Sequence, residues 1–199
     1  MMALLTSQHQ SVYRRESGVW LIELKLRELR QLFHLLDPAP FREKDLDPGA
    51  EQYIVEAFRE IGHDKPARLV IHLPAAESAS EEARSLPEAI AHYFDYRARQ
   101  ERIELRSLLK RGVASLTIGL AFLFTCLWLR RSLSGLADDS LFAEGLLIIG
   151  WVALWRPLEI FLYDWWPVLG EARLFDRLSA MPVQIVDAPR SGAAPAHPA

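Results

Sequence analysis

The chain has 199 residues, half of them hydrophobic and a quarter charged, and a formal net charge of −3. Its mean hydropathy of +0.03 hides an uneven distribution, because the 18 residues 112–129 carry no charge at all. The composition excludes a disordered chain, a disulfide scaffold (Cys126 is the only cysteine) and a generally basic nucleic-acid-binding protein.

The N-terminal residues predict the first elements of a small α+β domain. Residues 1–18 are polar and show no periodicity, so we expect a mobile lead. Apolar and charged residues alternate over 19–27, which predicts a strand with one buried face, followed by a short helix. The same residues also allow one helix running on through Phe33, because Leu, Glu, Lys and Arg are good helix formers.

A proline-rich loop separates this strand from the clearest helix of the chain. Pro38 and Pro40 end any preceding helix, and the loop continues to Asp47. Asp47 is suited to cap the next helix, Pro48 to its first position and Gly62 to its end. The apolar stripe that would pack one face of this helix consists of Tyr53, Ile54, Ala57, Phe58 and Ile61.

A second strand and a long helix are predicted next. Residues 68–73 are rich in β-formers and are closed by Pro74. The spacing S-x-x-E occurs twice, which predicts that Ser78 begins a short helix and Ser85 a long one. Since no proline occurs in 88–129, we expect this helix to leave the polar domain and enter a bilayer.

Two apolar segments predict a transmembrane hairpin. As a helix, residues 112–129 would rise about 27 Å, close to a hydrocarbon core of about 30 Å. A second apolar segment follows a short polar loop, so we expect crossings at about 108–130 and 141–163, with tryptophans near their ends. Small residues on the first crossing, which favour close helix packing within the chain or with a second subunit, are Gly112, Ala114, Ser115 and Gly119.

The remaining residues return to the polar domain. We expect an amphipathic helix at 168–178 and a third strand at 181–186 that joins the first two. An Ala/Pro-rich tail is predicted to be disordered. The predicted organisation is a mobile lead (1–18), an α+β domain with a juxtamembrane helix (19–107), the hairpin (108–166), the amphipathic helix and return strand (167–187) and the tail (188–199).

Charges beside the apolar segments predict the orientation. Residues 97–111 carry six basic side chains, whereas the hairpin loop at 130–144 carries two. Basic residues beside transmembrane helices are enriched on the cytoplasmic side. We therefore expect a multi-pass protein of the inner membrane with both termini in the cytoplasm. The basic helix suits anionic lipid headgroups. We expect no nucleic-acid partner, since the chain is net acidic.

The loop before the clearest helix is one candidate site. Asp37, Glu43, Asp45 and Asp47 are hard oxygen ligands that a divalent cation would accept, although their spacing does not match an EF-hand. A turn-rich connection held by prolines and caps explains them better, because Arg42 and Lys44 lie among the carboxylates, so we expect no metal and no cofactor. Asp37 and Asp45 are instead candidate contacts to a partner.

Charged residues near the end of the second apolar segment form the other candidate. Arg156 and Glu159 share a helix face at i, i+3, and Asp164 follows. Ionisable groups inside a membrane are functional candidates by default. The neighbouring tryptophans favour an anchor at the interface instead, and a role in transport or partner contact is the alternative.

The segments LDPAPFREKDLD (residues 36–47) and WRPLEIFLYDWWP (residues 155–167) together resemble uncharacterised bacterial inner-membrane proteins, in which a small cytoplasmic domain flanks a two-helix hairpin. The resemblance spans about residues 19–187 and implies a bacterial origin but no site residues. We expect a membrane-anchored, non-enzymatic scaffold or assembly protein that presents its α+β domain to a partner or to a second copy. The alternatives are a transporter or channel accessory using Arg156 and Glu159, and a metal-dependent enzyme at the 37–47 loop.

Overall fold

The computed structural model describes residues 13–34, 40–41, 44–62, 64–133 and 140–188. The chain forms two compact units. We call the first the sheet unit (residues 1–96 and 174–199) and the second the hairpin unit (residues 97–173). The predicted tail therefore lies outside the described residues, apart from Ala188.

A four-stranded sheet organises the sheet unit. Its strands are adjacent in chain order: Arg15–Glu16 (β1), Val19–Lys25 (β2), Ala67–Leu73 (β3) and Val183–Asp187 (β4). β1 and β2 are antiparallel, joined by Ser17 and Gly18, whose positive φ angles suit a two-residue hairpin. β3 pairs in parallel with both β2 and β4. The three predicted strands and the α+β class are confirmed, whereas β1 lies in the predicted lead and was missed.

The two faces of the sheet differ in burial. On one face Ile22, Leu69 and Ile71 are fully buried. This is the face that right-handed crossovers from β2 to β3 and from β3 to β4 would cover with helices. The other, which we call the polar face, includes the exposed Gln184, the partly exposed Glu23, Arg68 and His72, and the buried Leu21 and Val70.

The helix after the proline-rich loop, Pro48–Ile61 (α1), begins and ends as predicted. One carboxylate oxygen of Asp47 accepts hydrogen bonds from the N–H groups of Gly49 (2.9 Å) and Ala50 (3.3 Å). Gly62, with a φ of 98°, follows the last residue. The predicted apolar stripe is buried except for Tyr53, which is 41% exposed and donates a hydrogen bond to the Glu23 carbonyl.

The long helix starts earlier than its sequence signals predict. Short helices precede it at Leu29–Leu32 (3-10), which was expected, and at Ala75–Ser78 (α2); the long helix is Glu81–Leu133 (α3). The capping assignments to Ser78 and Ser85 are wrong. Ser80 provides the cap, since its hydroxyl accepts from the Ala83 N–H at 3.0 Å. Ser85 lies inside the helix and donates to Glu82, and Pro87 is accommodated further along.

The second apolar segment is helical but irregular. It comprises Ser140–Val152 (α4), Trp155–Glu159 (α5), a π-helical turn at Ile160–Asp164 and Trp165–Ser179 (α6). Two stretches of the described chain, Glu81–Ser132 and Glu144–Ser179, are long and apolar enough to cross a membrane. The exact crossings, 108–130 and 141–163, stay predictions, as do the domain boundaries.

Candidate functional site

Glycines bring the two apolar segments of the hairpin unit close together. At three of them an added Cβ would lie within 3.0 Å of the opposite segment: Gly112 (2.8 Å from Ile160 Cγ2), Gly119 (2.9 Å from the Ala153 carbonyl oxygen) and Gly150 (2.7 Å from Leu123 Cδ1). Because the partners run in opposite sequence directions, the segments form an antiparallel helical hairpin. The predicted packing role of Gly112 and Gly119 is confirmed, whereas Ala114 is exposed.

The outer surface of this hairpin is apolar and uncovered. In the most apolar 18 residues of each stretch, only 17% and 22% of the residues are buried. The core helix of a soluble protein would be mostly buried, and soluble monomers rarely expose apolar patches of this extent. The large side chains that are at least 55% exposed here are Val113, Ile118, Phe124, Trp128, Ile148, Ile149, Trp151, Val152, Trp155, Leu162, Tyr163 and Trp166.

The three charged residues predicted near the end of the second segment come together in one cluster. Nη1 of Arg156 lies 3.0 Å from a carboxylate oxygen of Glu159 and 3.4 Å from one of Asp164. The other carboxylate oxygen of Glu159 accepts a hydrogen bond from the indole N–H of Trp155 at 2.8 Å. We call these four residues the ion cluster. Both oxygens of Glu159 are thus satisfied, and the cluster carries a formal charge of −1.

The π-helical turn makes this cluster possible. Along an α-helix Asp164, eight residues after Arg156, would lie about 80° around the axis from it. A wider turn reduces this angle, which brings the two side chains onto one stripe. The turn also disturbs the backbone ladder, and the indole N–H of Trp165 donates to the Phe161 carbonyl oxygen at 2.8 Å. A polar backbone group in an apolar environment needs such a partner.

The hairpin contacts place the ion cluster at one end of the uncharged run. Ile160 lies against Gly112, the first residue of that run. Arg156 precedes Ile160 by four residues, so its backbone lies about 6 Å further along the apolar segment. Its guanidinium points back to Glu159 and Asp164, towards the end of the run. A long basic side chain that reaches a polar boundary in this way is typical of snorkelling.

A carboxyl group on α3, before the uncharged run, has a shifted pKa. Burial raises the pKa of Glu101 above its usual value, and the nearby Glu104 raises it further, while Arg97 lowers it. Glu171 of the returning helix adds a smaller repulsion. Repulsion from two carboxylates thus adds to burial, and folding favours the protonated form of Glu101.

The loop at residues 37–47 is only partly described. Asp37 and Glu43 lie outside the described residues, and Asp47 is the cap of α1. The loop ends are held together, because the His34 N–H donates to the Asp45 carbonyl and the Asp47 N–H to the Leu32 carbonyl, both at 2.9 Å. Among the described residues, no group of three His, Cys, Asp or Glu side chains could hold a metal ion.

A pocket of about 280 Å³ adjoins this loop. Phe33 and Phe41 contribute an edge-to-face ring pair, with centroids 4.8 Å apart. With two permanent cations and one carboxylate, the described lining has the wrong sign for a metal site. Its described lining residues are Arg30, Phe33, His34, Phe41, Lys44 and Glu82.

The sequence identified the charged residues of the ion cluster and the pairing of Arg156 with Glu159, but not the contact of Asp164 with Arg156. The contact of Asp164 with Arg156 depends on the π-helical turn. The hydrogen bonds donated by the indole N–H groups of Trp155 and Trp165 were not predicted. A tryptophan spaced four residues from Glu159 is the one available signal. No protein-family model matches the chain, and no curated protein and no solved structure matches it either.

Proposed function

We propose that the protein is a membrane-anchored, non-enzymatic scaffold or assembly protein, which holds its sheet unit at one surface of a bilayer and presents it to a protein partner. One observation carries the proposal: two uncovered apolar helices lie, in the chain, between β3 and β4, which pair with each other.

Strand pairing supports an even number of crossings. β3 precedes the hairpin and β4 follows it, yet Leu69 to Leu73 pair in register with Val183 to Asp187. Both ends of a crossing hairpin must then lie on the same side of the bilayer. The excess of basic residues at 97–111 supports the cytoplasmic side, and hence an inner-membrane protein with both termini in the cytoplasm.

The polar face of the sheet is the surface we propose for the protein partner. Parallel sheets usually have both faces covered, whereas here Gln184 is exposed and Arg68 and Glu23 are partly exposed. Arg68 donates a cross-strand hydrogen bond to the side-chain oxygen of Gln184 (3.0 Å), and a ring nitrogen of His72 lies 3.7 Å from a carboxylate oxygen of Glu23. A partner with complementary charges fits such a surface better than an apolar one.

Site-specific photo-crosslinking in native membranes tests the proposal. A photoreactive residue replaces Gln184 on the polar face or, as the matched control, exposed Gln52 on α1. We expect one discrete protein adduct from position 184 and none from position 52, with the adduct lost in Arg68→Glu. No adduct from 184, or equal adducts from both positions, would contradict a partner on this face.

The two alternatives stay predictions. A transporter or channel accessory needs Arg156 and Glu159 at hydrocarbon depth and facing a polar cavity, and the ion cluster at one end of the uncharged run does not favour it. A metal-dependent enzyme needs the carboxylates of the 37–47 loop to converge, and two of these lie outside the described residues.

A further inference from the structure

Four of the six basic residues at 97–111, in the part of α3 before the first apolar segment, share one face, whereas Arg97 and Arg111 lie on the other side of the helix. At about 100° per residue, Arg99, Arg102, Arg106 and Lys110 fall within an arc of about 80°. All four side chains are exposed, and we call them the basic stripe. A signal for membrane orientation depends on the number of basic residues and not on their face, so the four on one exposed side form a separate surface.

The acidic residues of this segment lie on a different side of the helix. Glu101 and Glu104 are displaced by more than about 120° from the centre of the basic stripe. Glu101 lies near Glu171 of the returning helix, on the packed side of the hairpin. The stripe is thus directed away from Glu101 and Glu104, whereas Asp95, four residues before Arg99, lies on the face of the stripe.

Apolar side chains continue the basic stripe towards the uncharged run. Ile103 and Val113 lie beside it on the helix surface and are 65% and 56% exposed. A surface of basic groups merging into exposed apolar groups matches the boundary between headgroups and acyl chains. It suits a lipid better than an acidic protein, which would leave the apolar groups uncovered.

Distances along the helix decide which members reach a headgroup. Lys110 precedes Gly112 by about 3 Å of helix, Arg106 by about 9 Å and Arg99 by about 20 Å. The headgroup layer on each side of a bilayer is about 5–8 Å thick. Lys110 and, by extending its side chain, Arg106 therefore reach it, whereas Arg99 does not. Arg99 and Arg102 also make contacts within the chain.

We propose that Arg106 and Lys110 bind the headgroups of anionic phospholipids in the leaflet next to the juxtamembrane part of α3. This proposal rests on the proposed function, since it requires the hairpin to cross a bilayer. Each basic group near the membrane surface strengthens the attraction by about fivefold. Anionic phospholipids are thereby expected to bind next to the hairpin in preference to uncharged ones.

The experiment measures lipid selectivity of the full chain reconstituted in phosphatidylcholine bilayers. Electron paramagnetic resonance compares the association of spin-labelled phosphatidylglycerol with that of spin-labelled phosphatidylcholine. We expect selectivity for the anionic lipid, reduced about fivefold in Arg106→Gln and in Lys110→Gln and weakened by salt. Arg99→Gln makes the same charge change about 20 Å from the uncharged run and should retain the selectivity.

Resistance to alkaline extraction, measured on the same samples, separates the two proposals. A protein that stays in the membrane but shows no anionic preference, or loses it equally in Arg99→Gln, overturns the lipid proposal alone. A wild-type chain that is extracted as a peripheral protein overturns the proposed function and the lipid proposal with it.

Discussion

Replacing Gly119 with alanine should force the two helices of the hairpin apart. The new methyl group would lie 2.9 Å from the Ala153 carbonyl oxygen and 3.0 Å from Leu154 Cδ2, against about 3.4 Å or more for ordinary contacts. Because the nearest atom belongs to the backbone, no side-chain rotation relieves the shortfall of about half an ångström. Overpacking of this kind costs about 1–3 kcal/mol.

Gly145→Ala is the matched control, since an added Cβ there meets nothing within 4 Å. Both variants gain helix propensity, worth up to about 1 kcal/mol, so their difference isolates the steric cost. Gly150→Ala should fall between them, because its closest contact is the flexible end of Leu123.

The free energy of unfolding would be measured in mixed micelles by titration with sodium dodecyl sulfate, followed by tryptophan fluorescence. We expect Gly119→Ala to be about 1–3 kcal/mol less stable than Gly145→Ala. Equal stability of these two variants would refute the close approach of the helices at Gly119.

Four further experiments test other parts of the fold. Trp165→Phe keeps the ring but removes the donor to the Phe161 carbonyl, so the hairpin should lose about 1–3 kcal/mol in the same micelle titration. A double-mutant cycle of Arg156→Gln and Glu159→Gln in bicelles should give a coupling above about 1 kcal/mol, because solvent-exposed pairs stay below this value; a smaller coupling would place the ion cluster in water. Asp47→Ala removes the cap of α1 and should cost about 1 kcal/mol in thermal unfolding followed by circular dichroism. The raised pKa of Glu101 means that its contribution to stability is fully present below the unfolded value and is lost as pH rises through the folded one. Glu101→Gln should therefore flatten the loss of stability as pH rises above the ordinary pKa of a glutamate, and an unchanged pH profile would contradict the burial of this carboxyl.

Periodicity and capping identified most of the sheet unit. These predictions depend on local preferences, which operate over a few residues. They concern the alternation at 19–27, the β-rich run at 68–73, and the helix that begins after Asp47 and ends before Gly62. The start of α3 was misassigned because Ser78, Ser80 and Ser85 are all acceptable caps. Tertiary context decides among them: the Ser78 hydroxyl contacts Asp187 of β4, 109 residues away.

The candidate site was less accessible to sequence reasoning. Arg156 and Glu159 were paired correctly because i, i+3 spacing fixes their faces. The contact of Asp164 with Arg156 requires a π-helical turn, which no local sequence preference predicts. The position of the ion cluster along the hairpin follows from the contact between Gly112 and Ile160. The basic residues at 97–111 were counted correctly from the sequence. The structure adds that four of them lie on one exposed side of α3.

Cysteine accessibility tests the central claim, that a crossing hairpin leaves both of its ends on one side of the membrane. In a Cys126→Ser background, single cysteines replace three exposed residues: Ser107 before the hairpin, Ser132 at its loop and Ala180 after it. A membrane-impermeant maleimide added to the outside of bacterial cells with a permeabilised outer membrane should label Ser132→Cys alone. Ser107→Cys and Ala180→Cys should react only once the inner membrane is opened. Labelling of Ser107→Cys and Ala180→Cys from opposite sides, or equal labelling of all three, would contradict the account.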